Sequence, residues 1–118
     1  MPTILVVEDE PNVRKLVTVN LAQRGFRVLE AGDGQMAWEH LNNQKPALMI
    51  LDIKLPDMTG WDILDRFGDR NIPVLVMTAT PVDQNAVLNQ YPCIAEILVK
   101  PFNINKLLSV IQRVLPAA

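Results

Sequence analysis

Five short runs dense in apolar, often β-branched residues punctuate the chain: Thr3 to Val7, Phe26 to Glu30, Ala47 to Leu51, Pro73 to Met77 and Ala95 to Val99. Their starts lie 23, 21, 26 and 22 residues apart, enough for a strand, a loop, a helix of about ten residues and a second loop. Three of the runs lack clean alternation, which suits strands covered on both faces by crossover helices. Arg27 and Glu30 give the second run a wetter character, suited to a sheet edge. Between the runs the apolar period changes to that of helices. Pro11 sits where a helix can open without losing a hydrogen bond, Val13, Leu16, Val17 and Leu21 form an apolar stripe, and Gly25 is placed to end it. A second, shorter helix turns Ala37, Trp38 and Leu41 inward and closes through Asn42 and Asn43 before Pro46; a third, from about Gly60 to Phe67, carries Ile63, Leu64 and Phe67. The fourth, after Pro81, is poorly patterned, with Val82, Ala86 and Asn89 as a weak face before Pro92. The fifth is the clearest: Asn103 can cap it, and Ile104, Leu107, Leu108, Ile111 and Leu115 recur at helical spacing.

The pattern predicts an α/β fold, (βα)5, around one parallel five-stranded sheet. Right-handed crossovers that cover both faces favour a doubly wound sheet over a barrel. In such sheets the ligand site lies beyond the carboxyl ends of the strands, where the strand order reverses. Composition narrows the class further. With 118 residues, 49% hydrophobic and 20% charged, the chain can bury one substantial core and is expected to be a single domain over 1–118. A net charge of -2 and the lack of any long basic run argue against direct nucleic-acid binding. Cys93 is the only cysteine, which excludes an internal disulfide framework and fits a reducing compartment. The N-terminus enters the first apolar run almost at once, with neither a signal peptide's basic region nor a membrane-length span. A cytoplasmic protein without membrane insertion is expected.

The candidate chemistry sits at the ends of the runs. Glu8 and Asp9 follow the first, and Asp52 ends the third. Acids at strand ends are also common as plain solvated loop residues. If the first and third strands are neighbours, however, three carboxylates converge, and their mutual repulsion asks for a cation or shared protons. Oxygen-only ligands favour a hard divalent ion, and a site that keeps several waters suits Mg2+. Thr78, with small Ala79 beside it, follows the fourth run, and Lys100, next to Pro101, follows the fifth. A hydroxyl, an ammonium and a metal ion around one carboxylate make a receptacle for a phosphoryl group. In it Asp52 would attack phosphorus in line while Lys100 and the metal offset charge on the equatorial oxygens and Thr78 hydrogen-bonds one of them.

With these residues in place, the chain resembles the receiver domain of bacterial two-component response regulators. The quotable pieces are ILVVEDE at 4–10, LDIKLPDMTG at 51–60, VMTA at 76–79 and VKPF at 99–102, and the likeness extends from about Ile4 to Val114. It implies a CheY-like, flavodoxin-like three-layer αβα sandwich with strand order 2-1-3-4-5. It also implies phosphotransfer from a sensor histidine kinase or histidine phosphotransfer protein, with a downstream protein target or fused output domain. Residue by residue, Glu8 and Asp9 match the metal-binding acid pair and Asp52 the phosphoacceptor, while Lys54 sits where a backbone carbonyl completes the ligands of Mg2+, for which Mn2+ or Ca2+ can substitute. Thr78, Ala79 and Lys100 match the positions that read the phosphoryl group, and Pro56 and Gly60 the loop that leads into the third helix. Lys54 and Thr80 occupy positions that influence attack by water on the phosphorylated aspartate.

The resemblance has one departure. Receivers commonly place Tyr or Phe three residues before the conserved Lys, and here that residue is Ile97, which has no large ring to swing. Ala95 and Glu96 replace the acidic pair common just before it. Ile97 keeps an alternative open, a pseudo-receiver that binds a partner protein without phosphorylation. The complete set of Glu8, Asp9, Asp52, Thr78 and Lys100 argues for the phosphorylated form. A haloacid-type hydrolase would need a second acid two residues after its nucleophile, where this chain has Lys54; neither GxxxxGK[ST] nor GxGxxG follows the first strand. The expectation is therefore a phosphoacceptor signalling domain and not a turnover enzyme, either alone or as part of a longer protein. Trp38, Trp61 and Phe67 read as packing residues, His40 as a surface residue, Cys93 as a half-buried filler, and Tyr91 as either a contact residue or a loop plug.

Overall fold

The computed structural model describes residues 2–67 and 71–115. Ten elements alternate along the chain: β1 (Thr3–Val7), α1 (Pro11–Gln23), β2 (Arg27–Ala31), α2 (Gly34–Asn43), β3 (Leu48–Asp52), α3 (Gly60–Phe67), β4 (Val74–Thr78), α4 (Gln84–Gln90), β5 (Ile94–Val99) and α5 (Ile104–Val114). All strand pairs are parallel, in the order β2-β1-β3-β4-β5. The winding direction therefore reverses between β1 and β3, as expected for a doubly wound sheet.

The continuous apolar runs have a simple cause. Successive side chains of a strand point to opposite faces, and here each face has its own core. Leu5, Val7, Met49, Leu51, Val74 and Val76 pack with α2 and α3. Ile4, Val6, Leu48, Ile50, Leu75 and Met77 pack with α1 and α5. Every residue of β3 and β4 is buried, whereas the edge strands β2 and β5 expose Arg27, Glu30, Ala95 and Val99.

Four of the five runs differ by one residue from the strands they mark, because apolarity tracks burial and the ladder tracks backbone pairing. Asp52 and Thr78 are polar yet still paired, opposite Met77 and Val99. In α1, Val17 and Leu21 are buried one turn apart and Val13 is half-buried on the same line. Leu16 is the correction: it lies about 100° round the helix from Val17 and is 47% exposed. In α4 the inward residues are Val87 and Leu88, with Ala86 and Asn89 exposed, and none of its residues is fully buried. His40 is also not a plain surface residue. It is half-buried, and its Nε2 lies 2.8 Å from the carbonyl of Glu30, tying α2 to the edge strand.

The caps explain where helices begin. Glu10 accepts from the N–H of Asn12, Asp33 from Met36, Asp83 from Ala86 and Asn103 from Asn105, each satisfying an amide that no earlier carbonyl can reach. Gly25, at φ 89°, takes the left-handed conformation that ends α1.

Gly60 is required for a steric reason. A Cβ built there would lie 2.8 Å from the carbonyl oxygen of Asp52 and 2.9 Å from the Cα of Ile53, and its N–H donates to the carbonyl of Ile53 at 2.7 Å. Gly60→Ala must therefore push the start of α3 away from the end of β3. It is expected to lower the unfolding free energy by about 1–3 kcal/mol, read from the urea or thermal midpoint. An unchanged midpoint would show that the loop yields freely.

Candidate functional site

The carboxyl ends of the four contiguous strands β1, β3, β4 and β5 converge on one buried cluster. Val7 pairs with Leu51, so Glu8 emerges beside Asp52, the last residue of β3, and its N–H is fixed to the carbonyl of Ala31 at 3.0 Å. Thr78 is the last residue of β4, and its carbonyl accepts from the N–H of Lys100 at 2.7 Å. Glu8 is 0% exposed and Asp52 and Thr78 are each 4% exposed, whereas Asp9 faces solvent. One carboxylate oxygen from each of Glu8, Asp9 and Asp52 can be chosen so that all three lie within 4.8 Å of one another.

One cation reaches into this group. Lys100 Nζ donates to both oxygens of Glu8, at 2.7 and 3.0 Å, and to Oδ2 of Asp52 at 3.0 Å. The other oxygen of Asp52, Oδ1, accepts from the N–H of Lys54 at 3.3 Å. Burial pushes the Glu8 carboxyl up to about 8, reinforced by its hydrogen bond to Asp52 and by that neighbour's charge, and opposed by Lys100. For Lys100, burial pulls the other way, but the hydrogen bonds and charges of Glu8 and Asp52 outweigh it and hold the ammonium above its ordinary value. While Glu8 keeps its proton, Lys100 balances Asp52; once Glu8 ionises, two buried carboxylates face one ammonium and the cluster is short of positive charge. Together with exposed Asp9, this donor set is all oxygen, hard and anionic, so it fits a divalent cation such as Mg2+ and not a soft metal.

Above Asp52 opens a cavity of about 440 Å³, lined also by Glu10, Val13, Lys54, Trp61, Thr80 and Val82. Thr78 lines it, but its hydroxyl is turned onto the next loop: Oγ1 donates to the carbonyl of Thr80 and accepts from the N–H of Thr80, both at 3.1 Å. Ala79 and Thr80 are exposed at the mouth. Lys54 projects into solvent while its backbone bridges to Thr59. Pro56 is exposed in the same loop, and the Lys100–Pro101 peptide is cis. Ile97 stands apart from this group, 5% exposed, opposite Val76 in the core beneath α3 and α4.

Two supporting residues escaped the sequence reading. Arg14 donates from Nη1 to the carbonyl of Glu8 at 2.7 Å and from Nε to the carboxylate of Glu30 at 3.3 Å, pinning the turn that carries the acidic pair. Asp57 accepts from the N–H groups of Gly34 and Gln35 at 2.8 and 3.0 Å, fastening the loop after β3 to the start of α2. The bond from Gly34 leads in holding the Asp57 carboxyl below its usual range. Neither contact has a short-range signal, since Asp57 binds 23 residues away.

A profile of the response regulator receiver domain matches residues 4–112. The chain belongs to this family. Among solved receiver structures, the non-phosphorylated HemR receiver domain of Leptospira biflexa is 28% identical, with TM-score 0.89, covering 100% of this chain and 97% of that one. TrrA of Thermotoga maritima is also 28% identical, with TM-score 0.81 over 98% of this chain and 100% of that one. In sequence, the probable transcriptional regulatory protein TcrX of Mycobacterium tuberculosis is 34% identical over 106 residues, 88% of this chain and 45% of the relative. The chain spans about half the length of the curated relatives it matches. As a receiver domain it is a phosphoryl-accepting signalling unit and not a turnover enzyme, and its partners as a family are histidine kinases and histidine phosphotransfer proteins. Among the described residues, no helix is long and apolar enough to cross a membrane.

The raised carboxyl of Glu8 gives the metal-free receiver a pH dependence of defined sign. The folded chain holds this proton more tightly than the unfolded chain. The stability it contributes is therefore full below about 4.5 and is lost as the pH rises through about 8. The urea midpoint in chelator should fall across that window, and Glu8→Gln should flatten the fall. Equal slopes in the two proteins would refute the assignment.

Proposed function

We propose that Asp52 is the phosphoacceptor of this receiver, and that Glu8, Asp9, Asp52 and the backbone carbonyl of Lys54 hold Mg2+ beside it. The observation that carries the reading is the differentiated environment of the Asp52 carboxylate. Oδ2 is held by Lys100 and Oδ1 by the N–H of Lys54, on the floor of the cavity and next to a second buried acid. Support also comes from TrrA, whose structure is a complex with Mg2+-BeF.

In the reaction, an oxygen of Asp52 forms a bond to phosphorus as the bond to the donor's histidine nitrogen breaks, and the electron pair returns to the imidazole. When bound, Mg2+ supplies positive charge against the phosphoryl oxygens. Lys100, 3.0 Å from Oδ2, is already placed to meet a phosphoryl oxygen added there, and fixing it costs no rearrangement at the moment of transfer. Thr78 has further to go. Its hydroxyl must leave the carbonyl of Thr80 to donate to the phosphoryl group, and this draws the loop of Ala79 and Thr80 with it. Lys54 and Thr80 flank the mouth through which water reaches the acyl phosphate, and we assign them to its lifetime. The phosphoryl donor would be a sensor histidine kinase or histidine phosphotransfer protein. The recipient of the signal would be a partner protein or an output segment of the kind carried by the longer relatives.

Incubation with acetyl phosphate and Mg2+, followed by intact-mass measurement, should show one added phosphoryl group. Asp52→Asn should show none, chelation of the metal should abolish the adduct, and Lys100→Ala should slow its formation about a hundredfold, as for loss of one preorganised charge-stabilising donor. Absence of any adduct on the wild-type protein would sink this reading in favour of a phosphorylation-independent protein-binding module.

A further inference from the structure

We propose that Trp61 is the positioning residue through which occupancy of the Asp52 cavity reaches α4, by way of its stack on Tyr91. This rests on the phosphoacceptor reading of the same cavity. Trp61 is the second residue of α3 and does two things at once. Its side chain forms part of the cavity wall, alongside Thr80 and Val82 of the loop that Thr78 must carry with it. The same ring stacks on Tyr91, with centroids 5.6 Å apart and planes inclined by 17°, within the range of favourable offset aromatic pairs.

Tyr91 is the C-cap of α4, where its N–H donates to the carbonyl of Val87. Its hydroxyl donates to Oδ1 of Asp65 at 2.7 Å. Trp61 and Asp65 are four residues apart on α3 and so share one face of the helix, which grips a single Tyr91 side chain by its ring and by its hydroxyl. Burial, with Asp65 second, pushes the phenol up to about 12, so it donates throughout the neutral range and the grip is not a pH switch.

The grip matters because of what else holds α4. That helix is seven residues long and none of its residues is fully buried; Val87 and Leu88 are half-buried against the core. A short helix with so little buried apolar surface sits at the low end of local stability, and the Trp61–Tyr91–Asp65 contact ties its C-cap to α3. A phosphoryl group on Asp52 that pulls Thr78 off Thr80 would shift the loop against Trp61, and any displacement of that ring changes the surface on which Tyr91 rests. Two arrangements of α4 would then be biased by one event in the cavity.

The test follows hydrogen exchange of the peptide covering 84–90 in the full chain, with and without Mg2+ and beryllium fluoride, alongside the mass adduct from acetyl phosphate. In the wild-type protein, exchange of this peptide should change on addition, as should tryptophan emission; in Trp61→Phe the emission change should vanish, because only Trp38 remains. Trp61→Ala should lose the exchange response, and Trp61→Phe, which keeps a ring to stack, should restore it. Tyr91→Ala, outside the cavity, should still form the acetyl phosphate adduct and reproduce the loss from the other side. An adduct with no exchange response in the wild type, or an unaltered response in both alanine variants, overturns the coupling. A wild-type protein that forms no adduct brings down the phosphoacceptor reading and this inference with it.

Discussion

The placement of Glu8 beside Asp52, both out of water, with a single ammonium between them, is the constraint to which the rest of this receiver answers. Two like charges this close in a poorly solvated site are unfavourable. Replacing such a cluster by apolar side chains of similar volume is often neutral or stabilising in other proteins. Its presence here is thus a cost to the fold, offset by the two apolar layers on either side of the sheet. The cost is also what suits the site to a cation: ionising Glu8 leaves the cluster short of positive charge, which a divalent ion can supply, and Asp52 is already held at both oxygens.

That geometry depends on backbone that cannot drift. Asp52 is the last residue of a strand paired on both sides, so neighbouring strands fix its position, and the carbonyl behind it is too close to Gly60 for any side chain there. Arg14 fixes the acidic turn through the carbonyl of Glu8, and Asp57 anchors the loop after β3 to α2. The backbone N–H of Lys100 is held by Thr78, so the fifth strand presents its ammonium in register with the fourth.

The parts legible from sequence were those with a local cause. Continuous apolar runs at regular intervals gave the buried strands, and polar residues at their ends gave Glu8, Asp52, Thr78 and Lys100, because a parallel sheet puts consecutive strand ends on one edge. What could not be read depended on contacts between distant segments. Leu16 belongs to an apolar helix pattern, yet nothing in that pattern says which side of the stripe the sheet will cover. The inward face of α4 was misread because so little of that helix is buried that it leaves almost no periodic trace. His40 donates from Nε2 to the carbonyl of Glu30 on a strand ten residues earlier, and Tyr91 finds Asp65 across 26; neither separation carries a signal in one sequence. Trp61 was legible as a packing residue, but its second role on the cavity wall needed the loop after Thr78 to be placed in space.

The same division between local and distant causes separates the rigid half of the receiver from the compliant one. Across β1, β3 and β4 the site rests on buried strands, each paired on both sides, so a shift of any one would break two ladders. The cavity is lined as well by Thr80, Val82 and Trp61, and the loop of Thr80 and Val82 leads into a helix with no fully buried residue. Ile97, beneath them, is a branched aliphatic side chain packed into the core opposite Val76, and its short side chain leaves no ring to move between core and surface. A change of charge at Asp52 therefore meets close packing along these strands and looser packing along the loop after Thr78 and the half-buried aromatic pair beside it. Strain in a close-packed protein is relieved where the packing is loosest, and here that place is the edge formed by α3 and α4.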